Sequence, residues 1–131
     1  MTVIYEDRLS DTPFVETIWR AQVVSDGGDI VASDICWDML IINQQGNARV
    51  SVWGPMTKSA YIPHIEGQEW LGIRFKAGTF MPHLSINKMV NQGITLPDAS
   101  GNSFWLDSST WECPNYGNVD TFVNRLVRGG I

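Results

Sequence analysis

Between Val15 and Phe75 the chain alternates apolar and polar residues with a period close to two, and turn-forming residues cut that alternation into short runs. The runs are Val15 to Val24, Ile35 to Ile42, Ala48 to Trp53, Ser59 to Ile65 and Trp70 to Phe75. Between them lie Asp26-Gly27-Gly28-Asp29, Gln45-Gly46-Asn47, Gly54-Pro55 and Glu66-Gly67. Alternation places successive side chains on opposite faces, so each run reads as a strand with one buried face. Strands of roughly 5–8 residues at this spacing predict a meandering antiparallel sheet that curls into a barrel or sandwich. The strongest hairpin signal is Asn43-Gln44-Gln45-Gly46-Asn47.

After Gly78 the pattern changes. Thr79 to Asn91 is compatible with a short helix whose first turn holds Pro82, and Gly93 to Pro97 with an extended piece. Asp98 to Gly117 is polar and turn-rich, yet carries Phe104, Trp105, Leu106 and Trp111, which predicts a packed flap. From Asn118, a suitable N-cap, Val119, Phe122, Val123, Leu126 and Val127 form one stripe at helical spacing. Arg125 and Arg128 suit its last turns, and Gly129-Gly130 would end it. The reading is therefore a mainly β chain with C-terminal helices: residues 1–117 form the body and flap, and 118–131 a carboxy-terminal helix.

The length of 131 residues suits one domain. A formal charge of −5 disfavours tight contact with a phosphate backbone by these residues alone. Glu6, Asp7, Arg8 and Asp11 interrupt any apolar signal core, and no apolar run reaches the ~18 residues of a membrane span, so a cytoplasmic protein is expected. Cys36 and Cys113 are far apart and form no metal-binding motif; two reduced thiols are the plain reading, with one disulfide as the alternative.

The candidate site starts from Arg74, a lone guanidinium in the apolar strand Trp70-Leu71-Gly72-Ile73-Arg74-Phe75. It cannot neutralise itself, so it needs water, an internal carboxylate or a ligand. Leu71, Ile73 and Phe75 share one face; Trp70, Gly72 and Arg74 share the other. Asp38, the lone charge of Trp37-Asp38-Met39-Leu40-Ile41-Ile42, is the expected internal partner, and removing one member of a buried pair costs roughly 3–5 kcal/mol. Trp19, Trp37, Trp53 and Trp70 fall on expected strands and serve either to line a cavity or to fill a core. The expected ligand-binding set is Trp37, Asp38, Trp53, Trp70 and Arg74. His64 and His83 are the only histidines, and neither a metal site nor a cofactor is expected. No nucleophile motif or phosphate-cradling loop is present, so an enzyme is not expected.

The ordered pieces Cys36-Trp37-Asp38-Met39-Leu40-Ile41, Val52-Trp53-Gly54-Pro55-Met56-Thr57, Leu71-Gly72-Ile73-Arg74-Phe75 and Asp120-Thr121-Phe122 resemble the amino-terminal domain of AraC-type transcriptional regulators. The likeness runs from about Pro13 to Gly130. It implies a cupin-like antiparallel β-barrel or jelly roll that binds a small organic effector and dimerises. In that picture Val119, Phe122, Val123 and Leu126 meet a second copy. DNA contact would fall to a carboxy-terminal pair of helix-turn-helix units, which these residues do not include. The alternative is a small cupin-type metal-dependent enzyme using His64 with nearby carboxylates such as Glu66 and Glu69.

Overall fold

The structure is a computed structural model that describes residues 3–31, 36–76, 89–99, 101–106 and 109–128, with the side chains of Asp29 and Val31 left aside. Seven strands occupy the first part: β1 (Val3–Arg8), β2 (Val15–Val23), β3 (Gly27–Val31), β4 (Asp38–Gln44), β5 (Asn47–Trp53), β6 (Ala60–His64) and β7 (Glu69–Phe75). Four short ones follow: β8 (Gly93–Thr95), β9 (Asp98–Ala99), β10 (Ser103–Leu106) and β11 (Ser109–Glu112). Helix α1 (Val119–Arg128) comes last. The protein is mainly β, and among the described residues every strand pair is antiparallel.

The main sheet has the order β1-β2-β7-β4-β5-β8 and is open, with β1 and β8 at its edges among the described residues. The expected closed barrel is not seen there. A three-stranded sheet, β11-β10-β9, and a two-stranded ribbon, β3-β6, complete the strands. The Gln45-Gly46 hairpin joins β4 to β5 as expected, with φ of 53° and 82° at its two central residues. Positive φ at both positions matches the right-handed twist of the flanking strands.

One face of the main sheet builds the core. Ile18, Ile73, Met39 and Val52 stand in one cross-strand row, and Leu71, Ile41 and Val50 in the next. Phe104 and Leu106 from β10 and Val119, Phe122, Val123 and Leu126 from α1 close over them. Helix and sheet therefore share one hydrophobic cluster, and burying Phe122 alone is worth about 2–3 kcal/mol. The flap residues Phe104 and Leu106 are buried as expected, while Trp105 on the alternate position is exposed.

Asn118 begins the helix, its carbonyl accepting from Phe122 N at 3.1 Å. Its side-chain oxygen accepts from Asn115 N, and Asn115 Oδ1 accepts from Gly117 N and Asn118 N. The two asparagines thus shape the turn into α1 through local side-chain bonds. Ser10 Oγ and Arg8 Nη1 both reach the Asp120 carboxylate, the latter at 2.9 Å, and tie the first turn of α1 to the start of the chain.

Two expectations need correction, and one strand was not anticipated. Gly27-Gly28 belongs to a strand rather than a turn, because it pairs with His64 and Pro63 of β6; the Tyr61 ring fills the space a Gly28 side chain would take. The alternation through β2 is broken by a register shift between Val15 and Thr17, so Val15 and Ile18 both enter the core. Strand β1 escaped the periodicity because its charges Glu6, Asp7 and Arg8 follow no apolar face. The helix expected over Thr79 to Asn91 lies outside the described residues except for its last three, as do Gly129-Gly130 and His83.

Candidate functional site

The opposite face of the main sheet carries the predicted site. Thr17, Arg74, Asp38 and Trp53 stand in direct register across β2, β7, β4 and β5. The next row reads Asp7, Trp19, Gly72, Leu40 and Ser51, and the one after it Tyr5, Ala21, Trp70, Ile42 and Arg49. Because paired residues project to one side, these rows form a single face rich in indoles around one ion pair.

Arg74 Nε donates to Asp38 Oδ1 at 3.2 Å, with side-chain exposures of 36% and 24%. The pairing is as expected, but the pair is half-buried rather than enclosed. Beside it the Trp19 indole occupies the space a Gly72 side chain would take. Tyr5 stacks on Trp19 at 5.8 Å between centroids, Trp19 leans toward Trp70 at 6.5 Å, and the His64 ring meets Trp70 edge-on at 6.5 Å. Trp70 Nε1 donates to Gln68 Oε1 at 3.1 Å, and Ile65 N donates to the same oxygen at 2.9 Å. His64 and Gln68 are buried, so the Trp70 end of this face is covered while the Arg74 end stays partly open.

Trp53 lies over Gly93 of β8, and its Nε1 donates to Ser51 Oγ at 3.3 Å. Four of the five predicted residues (Asp38, Trp53, Trp70 and Arg74) therefore share this face. Trp37 does not. It sits 3% exposed in the helix-side core, one residue out of phase with Asp38 and just ahead of β4. Trp19 and Tyr5 also lie on this face and stood outside the expected ligand-binding set, because a tryptophan packed on a cross-strand glycine shows only once the register of β2 against β7 is known.

The Tyr5 phenol is held above its ordinary value of 10.0, first by burial and then by its hydrogen bond to Asp7, against a lowering by Arg74. Tyr5 Oη donates to Asp7 Oδ2 at 3.2 Å. The neutral phenol can therefore give or take a hydrogen bond at neutral pH. His64 is buried against Trp70, and among the described residues no group of three or more His, Cys, Asp or Glu is placed to hold a metal ion. Cys36 is buried, its thiol 3.4 Å from Glu16 Oε2.

The four side chains expected at a dimer contact are committed elsewhere. Val119 and Val123 are 0% exposed, Leu126 1% and Phe122 6%, all packed within their own chain. They offer no surface to a second copy, because the stripe that makes the helix amphipathic is the one the sheet covers.

A groove of about 710 Å³ opens on the helix-bearing face, and no residue of α1 lines it. Its floor is two sheet rows: Glu6, Arg20, Leu71 and Ile41, then Ile4, Gln22, Glu69, Asn43 and Ala48. Its wall is Asn102 and the Cys113 to Tyr116 segment. Of the predicted site residues only Trp70 borders it. Comparison with protein-family models, curated proteins and solved structures returns no match for this chain. Among the described residues no helix is long and apolar enough to cross a membrane.

Proposed function

We propose that this chain is the effector-sensing and dimerisation domain of an AraC-type transcriptional regulator, with a cupin-like body. Its small organic effector lies on the indole-rich face against Trp53, Trp70, Arg74 and Asp38. The observation that carries this reading is the row Trp53-Asp38-Arg74, with Trp19 and Trp70 beside it, on the face that α1 does not use. Indole faces take flat apolar bodies, and a guanidinium recognises a carboxylate or carbonyl in its own plane. No nucleophile or metal centre enters this reading; binding works by favouring one of two pre-existing states. Helix α1, tied to β1 through Arg8 and Asp120, carries that shift toward the DNA-binding part. A homodimer would use the outward residues of α1, such as Thr121, Asn124 and Arg125, which are exposed.

Titration with 4-hydroxybenzoate, followed by tryptophan fluorescence and by melting temperature, tests the site. Quenching with a raised melting temperature is expected, and Arg74→Met should weaken binding about tenfold through loss of a charged hydrogen bond. Unchanged affinity in Arg74→Met would remove Arg74 from the site. A series of aromatic carboxylates that leaves fluorescence and melting unmoved would sink the reading.

A further inference from the structure

The groove on the helix-bearing face borders Tyr5, Ala21 and Trp70 of the indole-face rows, but its floor and wall have their own chemistry. Its floor includes the buried apolar side chains Leu71 and Ile41, and its volume of about 710 Å³ suits a small molecule. Three planar polar side chains, Gln22, Glu69 and Asn43, stand side by side in register across β2, β7 and β4 along that floor. Asn102 and Asn115 stand in the opposing wall.

Two guanidinium groups already face the Tyr116 ring of the groove wall: Arg20, and Arg8 at 5.0 Å from the centroid, whose charge Asp120 balances at 2.9 Å. The Arg20 guanidinium lies over the Tyr116 ring, 4.3 Å from its centroid, and pairs with the Glu6 carboxylate. The Arg20–Glu6 pair is neutral as a unit, so Glu69 leaves the lining with one net negative charge. Asp98 and Glu112 add to this, since both raise the neighbouring Cys113 thiol after burial has done so. An anion entering here meets Glu69 and a chain of formal charge −5; a cation meets attraction from both.

We infer that this groove is a second binding site, for a small organic cation whose flat amidinium, guanidinium or ammonium head meets Glu69 between Gln22 and Asn43. The apolar body of the ligand covers Leu71 and Ile41. Tyr116 and Asn115 lie in the segment that leads directly into α1, and the Arg8 side chain binds Tyr116 O at 2.9 Å and Asp120 at 2.9 Å. A ligand against Tyr116 therefore acts on the same helix start that the effector reading invokes, from the other face of the sheet. The site itself does not depend on that reading.

Three matched probes separate the possibilities: benzamidine, benzamide and benzoate share a ring and differ in the charge of the head. Binding is followed by the side-chain amide signals of Gln22, Asn43, Asn102 and Asn115 in nitrogen–proton correlation spectra. Benzamidine should shift these signals saturably. Benzamide should bind about tenfold more weakly, and benzoate should leave them in place. Glu69→Gln, at an exposed position that leaves the fold intact, should lower benzamidine affinity about tenfold, and higher salt should weaken the parent's binding. Equal shifts from all three probes, no shift from benzamidine, or parent-like binding in Glu69→Gln would each overturn the proposal.

Discussion

Asp38 on β4 and Arg74 on β7 are direct cross-strand partners, and the guanidinium Nε meets the carboxylate at 3.2 Å. Their exposures of 24% and 36% place the pair between a solvated ion pair and an enclosed one. The full cost of orphaning a buried charge therefore does not apply, because water reaches whichever partner is left. Asp38→Asn and Arg74→Met should each cost about 1–2 kcal/mol, with a coupling of about 1 kcal/mol in the double-mutant cycle. Urea unfolding of the four proteins measures this, and additive single-site effects would show that the two side chains do not stabilise one another.

Gly72 leaves the space that the Trp19 indole fills on the same face. A methyl at residue 72 would enter the Trp19 indole, so Gly72→Ala should destabilise by about 1–3 kcal/mol despite the higher strand propensity of alanine. Trp19→Ala should absorb most of that penalty when the two are combined. Thermal melts of the single and double variants give the answer; a Gly72→Ala protein as stable as the parent would place the indole elsewhere.

Phe122 tests whether the helix stripe faces inward. It is 6% exposed and packs against Phe104 and Trp111, with ring centroids at 6.1 and 6.0 Å. Phe122→Ala should cost about 3–5 kcal/mol, whatever the oligomeric state. Arg125→Glu, on the exposed side of α1, should leave stability within about 0.5 kcal/mol and, on the dimer proposal, reduce the dimer fraction. Light scattering paired with chemical unfolding separates the two effects.

Cys113 carries a pH signature. Its thiol is raised above the ordinary 9.0, first by burial and then by Asp98 and Glu112. Iodoacetamide labelling mapped by mass spectrometry should show a rate midpoint above 9.0 in the folded protein, moving down in Asp98→Asn. The folded state holds this proton more tightly than the unfolded chain does. The stability it contributes is therefore full below the unfolded value and falls away as pH climbs through the folded one. A midpoint at or below that of the denatured chain would contradict the surroundings described for this thiol.

Local pattern sufficed for what depends on neighbours in sequence. The alternation from Val15 to Phe75 specified strands, Gln45-Gly46 specified a hairpin with two positive φ angles, and the spacing Val119-Phe122-Val123-Leu126 specified a one-sided helix. The Asp38–Arg74 pair could also be anticipated, since each is the lone charge in its apolar run, Trp37 to Ile42 and Trp70 to Phe75, and a charge there needs an opposite. Tertiary structure alone decided which surface each face meets. The bulge between Val15 and Thr17 reset the phase of β2, the offset of one residue sent Trp37 inward while Asp38 faced the indoles, and α1 turned its stripe to its own sheet. Such outcomes depend on register, and register is set by contacts between residues far apart in the chain, where a shift of one residue moves every side chain to the other face.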